Sequence, residues 1–256
     1  MKDTLICSPQ YFNCRRLSAC IMFLIVVMPV FSTEKSDSVK AKLHFNGNIS
    51  INSNGMAPIP SFALGKPAVI AAFTIAKKRF SYDPSIAYGL NLRPWIIDNW
   101  VHYRLIYKSS FELRTGVDLS MLFSEYNGQD YKVLQGQQYI TFEIAGIYKI
   151  SPGSFVSLMY WNENGQDPGT ISGHFINLVY DRTDIRIGKN IHLSGNCQLF
   201  YIGYTGYNDG LFISPRIAAS LRNVPLSMFL QITQALKSNI EPFPGFKWNI
   251  GLAYIF

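Results

Sequence analysis

The sequence is short of charge and, beyond residue 31, of long apolar runs. Charged residues make up 15% of its 256 residues, whereas an average soluble domain has about 25%. No apolar run beyond residue 31 approaches the roughly 20 residues that a membrane-spanning helix requires. Hydrophobic residues still account for 48% of the chain and aromatic residues for 14%. This composition indicates β-strands.

Cysteine and recognisable catalytic motifs are also scarce. Three of the four cysteines lie within the first 20 residues, which leaves Cys197 alone and excludes an intrachain disulfide in the rest of the chain. No CxxC pair, Cys/His metal spacing, phosphate-binding loop or dinucleotide fingerprint occurs. The net charge of +7 is spread along the chain, and the longest basic run, 77–79, fits a charged turn. We therefore predict no metal, no cofactor and no nucleic-acid partner.

The N-terminus has the layout of a secretory signal peptide. Arg15 and Arg16 precede a short apolar segment at 18–31, and Ser32 supplies a small residue for cleavage. The predicted divisions are a signal peptide at 1–32, a periplasmic lead-in at 33–40 and the folded domain at 41–256. An uncleaved anchor helix is the alternative, and a translation start at Met22 stays open.

From residue 41 onward apolar and polar residues alternate, which is the pattern of strands with two different faces. The segment 111–124 shows it most clearly, with Val117 and Leu119 on an uncharged face and Arg114 and Asp118 on the other. The predicted strands lie near 41–53, 67–78, 84–93, 95–108, 111–124, 132–149, 154–162, 171–187, 191–205, 210–222, 226–237 and 246–256. They predict an all-β fold, an antiparallel up-and-down transmembrane β-barrel of about 12 strands.

The predicted connections alternate between tight turns and longer loops. The longer ones, rich in Gly, Asn, Asp and Pro, lie at 54–66, 125–131, 162–170 and 238–245. Bacterial membrane barrels place short turns on the periplasmic side and longer loops outside the cell, so we expect these loops outside. The apolar parity slips near Arg182 and Thr183, which predicts a β-bulge.

Alternation alone does not separate a membrane barrel from a soluble barrel, whose apolar face points to a core. The predicted strands are longer than the usual five or six residues, as tilted membrane strands must be. Trp95 and Tyr107 mark the two ends of one apolar face, in the manner of interfacial aromatic girdles. We therefore predict that the apolar faces point to lipid and that the charged faces enclose the lumen. A soluble barrel of opposite orientation is the alternative.

The last strand ends in an apolar residue at every second position. These positions are Trp248, Ile250, Leu252, Tyr254 and Phe256. This ending resembles the C-terminal insertion signature of Gram-negative outer-membrane β-barrel proteins, and the Tyr- and Asn-rich strands resemble barrels of Bacteroidota. The resemblance implies an outer-membrane location, contact with outer-membrane lipid and lipopolysaccharide, and recognition by the barrel-assembly machinery during insertion.

The inward face is where a function would be carried. Parity assigns to it His102, Arg104, Lys108, Glu112, Arg114, Asp118, Glu143, Arg216 and Lys247. Charged rings at a constriction set ion selectivity, and the slight excess of basic groups predicts a weak preference for anions. We predict a narrow passive channel or porin for ions or small solutes. The alternatives are a salt-bridged wall around a non-conducting barrel that acts through its extracellular loops, and an enzyme.

The enzyme alternative depends on His192 and Ser194, which alternation places on one face of one strand. Outer-membrane lipid esterases and deacylases carry such a His-x-Ser pair, in which histidine deprotonates serine. Here the pair is expected to point into the lumen near the periplasmic turn at 188–190, whereas a lipid-acting pair must face lipid near the outer leaflet. These two residues are weak candidates, and the sequence assigns no catalytic residue.

Overall fold

A computed structural model describes residues 42–57, 62–127, 132–206, 208–241 and 245–256. The strands are β1 (His44–Asn52), β2 (Ala68–Lys77), β3 (Phe80–Gly89), β4 (Pro94–Tyr107), β5 (Phe111–Asn127), β6 (Lys132–Ser151), β7 (Ser154–Gly165), β8 (Gly173–Ile187), β9 (Ile191–Tyr204), β10 (Asp209–Leu221), β11 (Leu226–Ser238) and β12 (Phe246–Ile255). Sequential strands pair, and β1 pairs with β12, so the sheet closes into a barrel. The predicted twelve-stranded antiparallel barrel is confirmed.

No helix within the described ranges is long and apolar enough to cross a membrane. The predicted signal peptide at 1–32 and the lead-in at 33–40 lie outside the described residues, and both stay predictions.

The chain end closes the barrel. The backbone N–H of Gly47 donates to the carbonyl of Phe256 at 2.9 Å, and the N–H of Phe256 donates back at 3.0 Å. The Phe256 ring packs against Phe45 and Phe73, each with ring centroids 5.9 Å away. Because a bilayer offers no water to an unpaired backbone group, this pairing removes the last open edge. Recognition of the ending as an insertion signature stays a prediction.

The two faces of the sheet are oriented as the membrane hypothesis requires. On β5, Leu119 is 58% exposed whereas Asp118 is 3% exposed. On β12, Trp248 and Tyr254 point outward, and Asn249 is 3% exposed. The outer surface is therefore apolar, and the interior holds buried polar and charged side chains beside two apolar clusters.

A charge introduced on the outer surface should be costly only in a bilayer. We expect Leu119→Arg to lower the unfolding free energy in lipid vesicles by about 2–4 kcal/mol, because the guanidinium would face hydrocarbon. Urea titration of vesicle-folded protein measures this loss, with Leu119→Phe as the matched control. An unchanged midpoint for the arginine variant would mean that this face does not contact lipid.

The predicted bulge in β8 is confirmed. Pairing of β8 with β9 shifts between Arg182 and Ile185. Asp184, within the shifted stretch, has a φ of 55°, which is unusual for a residue other than glycine. The extra residue moves the apolar positions to the other parity, as the sequence pattern indicated.

The predicted strand ends are wrong by three or four residues at β1, β3, β5 and β7, and one face assignment fails. β3 begins at Phe80, four residues before its predicted start at 84, and β7 continues to Gly165, past the predicted end at 162. Trp95 was expected at the lipid interface, but it is 3% exposed and packs inside with Leu122 and Tyr139. A register shift between β3 and β4 at Ala87 accounts for the reversal.

Candidate functional site: a series of lumen cavities

Three cavities lie in series along the lumen. The first has a volume of about 750 Å³, the second about 130 Å³ and the third about 460 Å³. Ala57 lines both the first and the second, and Phe62 and Leu122 line both the second and the third. Shared lining residues make the cavities neighbours, so we name them the vestibule, the acidic chamber and the outer cavity, in that order.

The vestibule is lined by β1, β2 and β8–β12, and about half of its lining residues carry neutral amides or hydroxyls. Asn249 donates to Asn52 at 2.9 Å, and Ser214 and Thr233 share a hydrogen bond of 2.8 Å. Arg216 is held with its guanidinium carbon 4.0 Å above the Phe229 ring, a geometry that stabilises a cation on an aromatic face. This wall is polar and carries little charge.

The acidic chamber lies among β4–β7, above the vestibule. Consecutive pairings align Trp100, Asp118, Thr141 and Glu163 across these four strands. The chamber is lined by Asp98, Asp118 and Glu163 together with aromatic side chains. Because residues at opposed positions point to the same face of a sheet, the register itself brings the carboxylates to one cavity.

Phe62 separates the acidic chamber from the outer cavity. Its carbonyl accepts a 2.7 Å hydrogen bond from the indole of Trp95, and its ring lies 5.3 Å from that of Tyr139. Phe62 also packs against both apolar clusters of the interior, one around Phe175 and one around Trp95. The connection between β1 and β2 therefore places the apolar side chain of Phe62 inside the barrel, near the end that carries the longer loops.

A buried ion-pair network lies next to the acidic chamber. His102 Nδ1 is 2.7 Å from an Asp83 oxygen, and its Nε2 is 3.4 Å from Glu143. Arg114 Nε donates to Glu143 at 2.9 Å, and the Trp161 indole donates to the second Glu143 oxygen at 2.8 Å. The network joins β3 to β7 through side chains, so it braces this wall of the lumen.

Glycine at position 116 makes room for this network. Gly116 lies opposite His102 in the β4–β5 pairing, and a Cβ atom there would collide with the imidazole ring. The small residue lets the ring lie flat across the sheet and reach Glu143.

The structure places most of the predicted lumen residues on the inner wall. These are His102, Arg104, Glu112, Arg114, Asp118, Glu143 and Arg216. Arg104 and Glu112 form a looser pair, 3.7 Å apart. Lys247 opposes Thr233 near the extracellular end of β12 and is exposed. A role of these groups in ion selectivity stays a prediction.

Lys108 does not line the wall as parity predicted. It is exposed in the connection after β4. The β4–β5 register shifts between Arg104 and Ile106, so the alternation that assigned Lys108 to the lumen no longer holds beyond Leu105.

Four lumen acids were missed by the sequence assignment, namely Asp83, Asp98, Glu163 and Asp181. Asp83 precedes the predicted start of β3, and Glu163 follows the predicted end of β7. Asp98 had the correct parity but was not singled out among the lumen residues. The alternation of Ser157, Trp161 and Glu163, continued past Asn162, is the signal that identifies the glutamate.

The His192 and Ser194 pair lies near the short turn between β8 and β9. His192 Nδ1 is 2.6 Å from Asp184 on the neighbouring strand, and Ser194 lines the vestibule. Histidine is thus oriented toward a carboxylate, and serine faces the lumen. This arrangement does not present a nucleophile to lipid, so both residues remain weak candidates for catalysis.

The described residues contain no group of three His, Cys, Asp or Glu side chains arranged to hold a metal ion.

The outward apolar surface and the enclosed polar lumen define the class of fold, an outer-membrane β-barrel of the Gram-negative type. Among solved structures, the chain is similar to the KdgM porin, with a TM-score of 0.54, 10% identity and coverage of 82% of this chain and 99% of that chain. KdgM porin in complex with disordered oligogalacturonate gives a TM-score of 0.52, 10% identity and coverage of 83% and 98%.

LpxR from Salmonella typhimurium is similar as well, with a TM-score of 0.50, 11% identity and coverage of 82% of this chain and 99% of that chain. At these identities the likeness establishes the fold alone. No family model matches the chain, and no curated protein matches it.

Proposed function

We propose that this barrel is a narrow passive channel for ions or small solutes in the outer membrane of a Gram-negative bacterium. The observation that carries the proposal is the row of three adjoining cavities, in which Ala57 lies between the vestibule and the acidic chamber and Phe62 lies between that chamber and the outer cavity. Twelve strands enclose more space than the small barrels that side chains fill, and less than the large porins with open channels.

The dimensions of the route limit its solutes. The acidic chamber has about 130 Å³, room for a few water molecules at about 30 Å³ each. Inorganic ions with part of their hydration shell fit this space, and larger solutes need a movement of Phe62. A narrow route with a polar wall is therefore suited to slow, size-limited diffusion.

Conductance of the purified protein in a planar bilayer tests the proposal. We expect steady current steps of small amplitude that grow in proportion to salt concentration, because ions would cross through a fixed aqueous path. The same preparation boiled before reconstitution is the control. A protein that inserts and yet passes no current would contradict the channel.

A non-conducting barrel that acts through its extracellular loops is the second candidate. One observation favours it: Phe62 packs against two apolar clusters inside the barrel. Silence in the bilayer experiment, from protein that is correctly folded, is the result that this alternative requires.

The proposal includes the surroundings of the barrel. Its apolar belt would contact outer-membrane lipid and lipopolysaccharide, and its ending from Trp248 to Phe256 would be read by the barrel-assembly machinery. An origin in Bacteroidota is part of the same proposal. Recovery of the mature chain from a fraction other than the outer membrane would contradict this assignment.

A further inference from the structure

The acidic chamber holds carboxylates that lack a compensating cation. Glu163 is 7% exposed and Asp118 is 3% exposed, and both line the 130 Å³ cavity. Within the described residues, Glu163 and Asp98 have neither a hydrogen bond nor an ion pair, and the charges of the three acids repel one another. Keeping a glutamate ionised is costly when it is more than nine-tenths buried and directed into a cavity, unless a cation faces it.

The basic groups of the neighbouring wall are already occupied. Arg114 is bound to Glu143 at 2.9 Å, and His102 lies between Asp83 and that same glutamate. Arg104 is 3.7 Å from Glu112. None of these basic side chains lines the acidic chamber, so the smallest of the three cavities is lined by three acids and by no basic side chain.

Asp118 is held in place by the backbone. The N–H of Asn99 donates to an Asp118 oxygen at 2.7 Å, which orients the carboxylate toward the chamber. Register pairing sets Thr141 between Asp118 and Glu163, so the two acids flank the passage from strands two apart. The arrangement is a partial ring of acids at a constriction, the usual means of excluding anions.

We infer that the acidic chamber, through Asp98, Asp118 and Glu163, makes the pore selective for small monovalent cations. The inference rests on the proposed channel function and opposes the weak anion preference that the count of basic residues predicted. A mobile cation that enters the chamber relieves the repulsion among the acids, while an anion adds to it. The absence of a coordination geometry in the described residues fits passage of a cation rather than its retention.

The reversal potential of the full-length mature barrel under a potassium chloride gradient tests the inference. We expect a permeability for K⁺ about fivefold higher than for Cl⁻, the factor that one near charge supplies in an aqueous passage. This measurement uses the wild-type chain and needs no variant to fold.

Glu163→Gln and Asp98→Asn, each nearly the size of the original side chain, should move the K⁺/Cl⁻ permeability ratio toward one. Asp181→Asn is the matched control, because Asp181 lines the wide vestibule, where water screens its charge. The control should leave the ratio close to that of the wild type. Faster migration of unheated than of boiled protein on a detergent gel verifies that each variant is folded.

The outcomes separate the two claims. A folded barrel that passes no current overturns the channel and the inference with it. A conducting barrel whose wild-type reversal potential is zero, or lies on the anion side, overturns the cation inference and leaves the channel standing. The inference is also overturned if Asp181→Asn lowers the ratio as much as Glu163→Gln does.

Discussion

Replacing Phe62 with alanine is expected to raise the single-channel conductance by about twofold or more, because the narrowest segment of a pore dominates its resistance. The Phe62 side chain is shared by the walls of the acidic chamber and the outer cavity. Its removal would merge the 130 Å³ and 460 Å³ spaces. The hydrogen bond from Trp95 reaches the Phe62 carbonyl, so the backbone anchor survives the substitution.

Phe175→Ala is the matched control for this experiment. Phe175 is 2% exposed and belongs to one of the clusters that Phe62 contacts, yet it lines none of the three cavities. Its loss should cost about 3–5 kcal/mol of stability with little change in conductance. Equal conductance of Phe62→Ala and the wild type in the same bilayers would show that current does not pass this side chain.

The strands could be predicted from the sequence because membrane burial imposes a period of two on most of their length. Leu119 and Asp118 are neighbours in the chain, and a single assignment of faces decides both. The β8 bulge was visible for the same reason, since one extra residue reverses the parity of everything after it. The fold class and the face of each strand that points to lipid could therefore be predicted from the local sequence pattern.

The arrangement of the cavities inside the barrel could not be predicted from the local sequence pattern. Phe62 belongs to a connection whose path depends on the space left by β4, β5 and β6, and no local pattern reports that space. Glu163 was assigned to a loop because β7 continues to Gly165, three residues beyond its predicted end at 162. Ion pairing is equally non-local, because Glu143 pairs with Arg114 on a neighbouring strand. The predicted anion preference came from the number of basic and acidic residues, and such a count does not show which charges neutralise each other.

Because Glu143 neutralises Arg114 and is buried, we expect its replacement to destabilise the barrel wall strongly. Glu143 accepts hydrogen bonds from Arg114 and Trp161, and its side chain is 2% exposed. We expect Glu143→Ala to lower the free energy of unfolding by about 3–5 kcal/mol, since it leaves the partly buried Arg114 guanidinium without its anion and the Trp161 indole without its acceptor. Urea titration in lipid vesicles, followed by gel mobility, measures the change.

Glu112→Ala supplies the contrast, because its partner Arg104 is 3.7 Å away and both side chains are partly exposed. Removing this pair should cost about 0–1 kcal/mol. A double replacement of Glu143 and Arg114 by methionine should recover part of the loss, since no unpaired charge then remains in the wall. If Glu143→Ala and Glu112→Ala proved equally mild, the network would not brace the barrel, and the lumen beside the acidic chamber would have to be held by backbone pairing alone.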